Sequence, residues 1–258
     1  MTTVKAICGI MEEFAPTNLA MEWDNVGLML GKTDREVKKI LLALDLTQEV
    51  VEQAIANDVH MIITHHPAIF KKLSRLTDKN WQQELLLNLA EHKIAVYSAH
   101  TNFDCADEGV NDVLANKLQL LNIRTLEDES GLGREGEVAA CNLVDFANRV
   151  KQQLAADYVT FADAGKKVQR VAVCGGAGGD LVDLCIAKGI DTLVTGDIKY
   201  HTAQDAVFQG LNIIDAGHQA TERIAIEYLR GRMEKYSSLH GLGLELILAQ
   251  ESLILKHV

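Results

Sequence analysis

Histidines and acidic residues that could bind a metal ion follow several apolar segments of this sequence. His65 and His66 come directly after the segment MIIT and before Pro67. His218 and Glu222 are four residues apart, a spacing that places two side chains on one face of a helix, one turn apart. Imidazole and carboxylate groups without thiolates suit Zn, Fe, Mn, Co or Ni and do not distinguish among them. These residue types therefore predict a site for divalent metal ions.

Further polar residues occupy matching positions at the ends of other predicted strands, where ligands gather in open α/β sheets; these are His100, Asp104 and Asp197. Adjacent histidines on a strand face opposite ways, but a turn at Pro67 would direct both into one pocket, where they could bind two different metals. Glu222 could bridge two ions, and paired ions are typical of hydrolysis. A single histidine or aspartate at a strand end is more often a hydrogen-bonding or capping residue, so the hypothesis depends on the joint pattern.

Other residues have two interpretations each. His201, in GDIKYH, could be a general base or a partner that orients a ligand, and it could equally cap a helix. Asp24 and Asn25 could hydrogen-bond a substrate, and a plain turn explains them equally well. The segment GGAGGD at 175–180 resembles a phosphate-binding loop, but it lacks the Walker lysine and a tight turn is favoured.

The order of elements around these residues is repeated. From KKILLALDLT onward, apolar strands alternate with amphipathic helices as β-α-β-α-β-α, and the same order follows Val168. The third strand of each copy ends in a histidine with an acid four residues later, His100 with Asp104 and His218 with Glu222. The pattern predicts two similar α/β domains from an internal duplication, each three-layered with a mostly parallel sheet, and a metal site at their junction. The alternative is that any α/β chain shows similar strand spacing.

The predicted domains are residues 1–126 and 127–258, because an acidic and then glycine-rich stretch lies between the copies. The tail GLELILAQESLILK has strand character and could pack back on the first domain. The segments EVAACNLVDFANRVKQQL and YVTFADAG should add a helix and at least one strand to the second. The expectation is therefore one chain of two α/β domains with a C-terminal strand.

Composition excludes several classes of protein. Of 258 residues 48% are hydrophobic, which is typical of a globular protein with a sizeable core. The net charge of -11 counts against a nucleic-acid partner, although a local basic groove could still bind nucleic acid. Five cysteines without CxxC spacing indicate reduced structural thiols. With neither a signal peptide nor a membrane-spanning segment, we expect a cytoplasmic protein with no membrane partner.

Six motifs together resemble the Nif-three-like family, whose members are labelled GTP cyclohydrolase 1 type 2 homologues: WDNVGL at 23–28, THHP at 64–67, AHTNFD at 99–104, GVND at 109–112, GDIKYH at 196–201 and DAGHQATE at 215–222. The resemblance covers nearly the whole chain. It implies a duplicated α/β fold, a dinuclear metal centre at the domain junction and a toroidal homohexamer. Carried over by position, the metal ligands are His65, His66, Asp104, His218 and Glu222.

The function predicted from these residues and this resemblance is that of a metal-dependent hydrolase, similar to GTP cyclohydrolase 1 type 2, that acts on a nucleotide-like small molecule with two divalent metal ions. Glu222 and His201 are the candidate catalytic residues, His201 as a proton carrier. The alternative is a metal-handling or adaptor protein without turnover. His100 matches His218 in position but is not expected to be a ligand.

Overall fold

The computed structural model describes residues 1–256, which form two compact units. The first unit comprises Met1–Ala106 and Ile226–Ser252. The second comprises Asp107–Ala225 and, of the described residues, also 253–256. Among the described residues, none of the helices combines the length and the apolar character that a membrane span requires.

Within its described residues, the first unit is built on a five-stranded sheet. The strands are β1 (Gly27–Leu30), β2 (Lys39–Ala43), β3 (Met61–Thr64), β4 (Ala95–Ser98) and β11 (Glu245–Leu248). Their order is β1-β4-β3-β2-β11, with β1 antiparallel to β4 and the other pairs parallel. The helices are α1 (Val4–Phe14), α2 (Gln48–Ala56), α3 (Trp81–Glu91), α4 (Thr101–Cys105) and the later turns of α9 (His218–His240), and a short 3-10 turn spans Thr17–Leu19.

The central strands of the first sheet are apolar throughout because both faces of the sheet are buried. Leu41 packs in a core with residues of α2 and α3, whereas its neighbours Ile40 and Leu42 point to the opposite face and are just as buried. Helix α2 begins after Thr47, whose hydroxyl accepts a hydrogen bond from the Val50 amide at 3.2 Å, as an N-cap residue does. The strands and helices predicted for this part of the chain are confirmed.

A six-stranded sheet forms the second unit, counted over residues 107–225. Its strands are β5 (Leu121–Thr125), β6 (Arg134–Cys141), β7 (Thr160–Ala162), β8 (Val168–Ala177), β9 (Thr192–Gly196) and β10 (Asn212–Asp215). The order is β5-β6-β8-β9-β10-β7, in which β8, β9 and β10 are parallel and the flanking strands antiparallel. The helices are α5 (Val110–Lys117), α6 (Leu143–Gln153), α7 (Val182–Ala187), α8 (Tyr200–Phe208) and the first turns of α9, with a 3-10 turn at Gly179–Leu181.

Alternate residues of β8 belong to different layers of this unit. Val171 and Val173 pack in a core with α5 and α6, while Ala172 and Cys174 pack in another with α7 and α8. Helices therefore cover both faces of the sheet, which is the three-layer arrangement that the alternating β-α order predicts.

The predicted fold class, two α/β domains, is confirmed. The first sheet is mostly parallel as predicted, whereas the second is mixed, with two parallel and three antiparallel strand pairs, because β5, β6 and β7 flank its parallel core. The segment predicted to add a helix begins as the end of β6 and continues as α6. The C-terminal tail contains β11, which pairs in parallel with β2 from Glu245 opposite Lys39 to Leu248 opposite Leu42. The domain limits at residues 126 and 127 stay a prediction.

Candidate functional site

The two adjacent histidines of the THHP motif lie just beyond the end of β3. Both amides donate to the end of β2 and the residue after it, His65 to the Ala43 carbonyl at 3.2 Å and His66 to the Leu44 carbonyl at 2.9 Å, so the alternation of a regular strand ends here. The imidazole centroids nevertheless lie only 5.2 Å apart, tilted by 45°. The chain therefore brings both rings together at the strand end, as the turn before Pro67 led us to expect.

Each of these rings is oriented by an oxygen at Nδ1. His65 Nδ1 lies 2.8 Å from the Ala99 carbonyl oxygen, and His66 Nδ1 lies 2.8 Å from Asp45 Oδ1. Since a carbonyl and a carboxylate only accept, Nδ1 is the donor in both contacts, and Nε2 is the ring nitrogen left to face an ion. This is the arrangement that metal-ligating histidines use, with one nitrogen donating to an oxygen and the other directed at the ion. Sequence reasoning missed the role of Asp45.

Asp104 lies in the short helix α4 that follows β4. Its carboxylate is nearly buried, and Oδ1 is 3.6 Å from His65 Nε2. The turn that precedes Asp104 is fixed by Asn102, whose side chain accepts from the His100 amide at 2.9 Å and donates to the Ala15 carbonyl at 2.7 Å. A buried carboxylate is thus placed beside the Nε2 atom that a metal would use.

His100 contributes a third imidazole to this cluster. Its ring centroid is 5.2 Å from that of His65 and 5.7 Å from that of His66, and a nitrogen of each ring lies within 4.8 Å of the others. His100 Nδ1 donates to Asp24 Oδ1 at 2.9 Å. The distances among these three imidazoles are short enough for them to hold a metal ion. The expectation that His100 is not a ligand stays a prediction.

Asp24 is an internal hydrogen-bonding residue of the first unit. Its side chain is fully buried and accepts from His100 and from both the amide and the hydroxyl of Thr101. Burial raises the pKa of this carboxyl, but the hydrogen bonds from His100 and Thr101 lower it by more, so that the pKa falls from the ordinary 3.8 to about 2. Asp24 therefore carries a negative charge that keeps His100 and the start of α4 in place.

In the second unit, the predicted pair on α9 is formed. His218 Nε2 and Glu222 Oε2 are 3.1 Å apart across one helical turn, and the Glu222 carboxylate is buried. His218 Nδ1 donates to Asp197 Oδ2 at 2.8 Å, so that Nε2 is the ring nitrogen directed at Glu222 and available to a metal ion. Asp197 follows β9, and its own backbone has a positive φ of 54°. Asp197 is thus a residue that orients His218.

The glycine-rich segment at 175–180 makes room for this pair. Gly176 has a φ of 62°, and a Cβ there would collide with the carboxylate of Glu222 and lie 3.1 Å from His218 Nε2. The amides of Gly176 and Gly178 donate to the hydroxyls of Thr221 and Thr195, at 3.0 and 2.8 Å. The segment therefore comprises the end of β8, the linking residue Gly178 and the start of the 3-10 turn Gly179–Leu181, rather than the tight turn that the sequence favoured, and these two amide donors serve the fold.

Two residues of the GVND motif have structural roles in the second unit. Asn111 Oδ1 accepts from the Gly175 amide at 2.9 Å. Asp112 forms a two-point ion pair with the buried Arg134, with Nε to Oδ1 at 2.5 Å and Nη2 to Oδ2 at 3.1 Å. Both contacts tie α5 to the sheet.

His201 lies exposed in the first turn of α8, and its ring contacts that of Tyr200 at a centroid distance of 5.3 Å. Lys199 occupies the N-cap position of this helix without a side-chain cap. The proposed proton-carrier role of His201 stays a prediction.

Comparison with known proteins gives a consistent result. The family model described as Duf34/NIF3 (NGG1p interacting factor 3) matches residues 2–252. A protein of Lactococcus lactis named GTP cyclohydrolase 1 type 2 homolog is 41% identical over 211 residues, covering 80% of this chain and 82% of that protein. A protein of the same name from Clostridium acetobutylicum is 35% identical, covering 93% and 92%.

The solved structure of a Bacillus cereus protein related to NIF3 superimposes with a TM-score of 0.92 at 26% identity, covering 99% of both chains. The resemblance inferred from the six motifs is therefore confirmed over almost the entire length. The chain belongs to the Duf34/NIF3 family.

Proposed function

We propose that this protein is a metal-dependent hydrolase that uses a pair of divalent ions to act on a nucleotide-like small molecule. The proposed ligands are His65, His66 and Asp104 of the first unit with His218 and Glu222 of the second. The observation that carries the proposal is that the three histidines of this set each have Nδ1 hydrogen-bonded to an oxygen at 2.8 Å, while Nε2 of His65 and of His218 faces a buried carboxylate at 3.6 and 3.1 Å. That arrangement selects Nε2 for metal binding and orients the ring in advance.

The chemistry of the donors supports the same conclusion. Three imidazoles and two buried carboxylates, without a thiolate, suit Zn, Fe, Mn, Co or Ni. The carboxylates of Asp104 and Glu222 would provide the negative charge that offsets the ions. Bound in this set, divalent ions would supply Lewis acidity and lower the pKa of water. The donor set thus fits a hydrolytic site better than an electron-transfer site with cysteine ligands.

The side chains of this protein would orient the ligands, bind the ions and transfer a proton. His65 is held by a backbone carbonyl and His66 by Asp45, so that the cluster needs little rearrangement to bind an ion. Glu222, on α9, is our candidate for the carboxylate that contacts both ions. His201, exposed on α8, is our candidate for moving a proton at a ring nitrogen between solvent and the leaving group.

The substrate class follows from the names of the relatives, several of which are called GTP cyclohydrolase 1 type 2 homolog. We propose a small nucleotide-like molecule, and the net charge of -11 favours this over a nucleic-acid strand. The homohexamer implied by the family resemblance is part of the proposal, and light scattering coupled to size exclusion tests it.

The test is turnover that depends on bound metal. Purified protein loaded with each of Zn, Mn, Fe, Co and Ni would be screened with nucleotides and pterin precursors, beside Glu222→Gln and the distant surface variant Glu245→Gln. We expect hydrolysis by the wild type and the Glu245 variant and its loss in the Glu222 variant. Bound metal with no turnover in any mixture would contradict the hydrolase and favour a metal-handling or adaptor protein.

A further inference from the structure

An exposed pair of aromatic rings lies beside the imidazole cluster of the first unit. Trp23 is 62% exposed and Phe70 is 49% exposed, and their ring centroids are 6.1 Å apart. The centroid of Trp23 is also 6.1 Å from that of His100, which contacts His65 and His66 in turn. A continuous row of rings therefore leads from the solvent to the candidate metal ligands.

Hydrogen bonds fix the position of both exposed rings. Asp24, next to Trp23, is bound by His100 and Thr101, so the Trp23 loop is anchored to the start of α4. The side-chain amide of Asn25 donates to the carbonyl of Ile69, the residue before Phe70. The two segments that carry the aromatic rings are thus joined to each other and to the imidazole cluster. A surface turn of no consequence for the site would not need a buried carboxylate at this point.

The orientation of the rings leaves aromatic surface open. Trp23 and Phe70 are inclined by 65°, and Trp23 and His100 by 73°, so both pairs meet edge to face. In an edge-to-face pair the edge of one ring meets a face of the other, and the 62% exposure of Trp23 shows that much of the indole surface stays open to solvent and accessible for stacking. The indole is a fused bicyclic ring whose size matches a fused nitrogen heterocycle.

We infer that Trp23, supported by Phe70, stacks on a fused bicyclic nitrogen heterocycle such as a purine and holds the substrate against the imidazole cluster. This inference rests on the proposed function and deepens it, because it assigns the substrate class to a surface of the first unit. Aromatic stacking on a base contributes enough that its loss weakens binding roughly tenfold. Trp23 would thereby determine specificity, because it recognises the heterocyclic ring of the substrate rather than its sugar or phosphate.

The test compares guanosine 5′-monophosphate with ribose 5-phosphate as probes, by titration calorimetry on the metal-loaded protein. The variant is Trp23→Leu, and the matched control is Trp81→Leu, since Trp81 is 63% exposed at the start of α3. We expect Trp23→Leu to weaken binding of guanosine 5′-monophosphate roughly tenfold and Trp81→Leu to leave it unchanged. Ribose 5-phosphate should bind weakly to all three proteins.

Wild-type binding of both probes with equal affinity, or unchanged affinity in Trp23→Leu, would overturn the inference. A change of molecular mass in Trp23→Leu with unchanged affinity would show that the rings form a subunit contact instead. Metal content is measured in parallel, because it should be the same in all three proteins. If the protein is not a hydrolase, it will show no turnover but will still bind the heterocycle through Trp23. The two hypotheses are therefore distinguished by separate measurements.

Discussion

Removing the carboxylate of Asp197 should weaken metal binding without disturbing the fold. This carboxylate accepts a 2.8 Å hydrogen bond from His218 Nδ1 and orients that ring. Asp197 has a φ of 54°, a conformation that glycine and asparagine adopt at lower cost than alanine. The informative substitutions are therefore Asp197→Gly, which removes the acceptor without strain, and Asp197→Asn, which keeps an acceptor oxygen and removes the charge.

Loss of a partner that orients a metal-ligating histidine weakens metal affinity by about 10- to 100-fold, or roughly 1.4 to 2.7 kcal/mol. The side chains of Asp197 and His218 are 52% and 35% exposed, so solvent screens part of the charge and the lower end of that range applies. We expect about a tenfold loss in Asp197→Gly and about a threefold loss in Asp197→Asn.

The assay is competition for Zn²⁺ or Mn²⁺ against a chelator of known affinity. Asp58→Gly is the matched control, because Asp58 is exposed and has a similar positive φ of 51° in the loop before β3. Metal affinity in Asp197→Gly equal to that of Asp58→Gly would refute the reasoning, since His218 would then need no orienting carboxylate.

Three other substitutions or reactions are predicted. Gly176→Ala should reduce metal affinity about tenfold, because the new Cβ would be forced against the carboxylate of Glu222. The control Gly165→Ala, at a position with a φ of 74° and open space, should leave metal affinity unchanged, and chelator competition compares the two variants. Asp112→Ala should lower the free energy of unfolding by about 3 kcal/mol, because Arg134 would remain buried without its carboxylate; urea denaturation measures this, and a change below about 1 kcal/mol would contradict it. Burial raises the pKa of Cys185 to about 12, so alkylation of Cys185 in the native protein, followed by mass spectrometry of its peptide, should be negligible at pH 8 and rise with pH as the thiolate forms; labelling of Cys185 at the rate of a free thiol would contradict this.

The strands and helices were predictable where one local rule decides the structure. The apolar run of β2 can only be a strand buried on both faces, and Thr47 provides the cap that begins α2. The strand β6 was harder to predict, because its buried alternate positions begin with Arg134, and a hydrophobic pattern does not place an arginine in the core. The ion pair with Asp112, which is 22 residues away in sequence, and hydrogen bonds to the carbonyls of Gly131 and Gly133 make that position suitable.

The residues that orient the histidines depend on strand register, which the sequence does not specify. Ala43 lies opposite Thr64 in the parallel ladder, so two residues further on Asp45 lies level with His66. The candidate ligands could be predicted from residue type and spacing, because two adjacent histidines follow β3 and a histidine with an acid four residues later follows the third strand of each copy. Their hydrogen-bond partners could not, because a shift of one residue in the pairing would present a different side chain.

The most direct test of the central claim is the metal content of the purified protein and of two variants, one from each unit. Inductively coupled plasma mass spectrometry would be applied after equilibration with excess Zn²⁺ or Mn²⁺ and desalting, to the wild type, Asp104→Ala and Glu222→Ala. If the five ligands act together on a pair of ions, the wild type retains two ions per chain and each variant loses metal from both positions. A wild type that retains no metal, or variants that keep the full amount, would contradict the account.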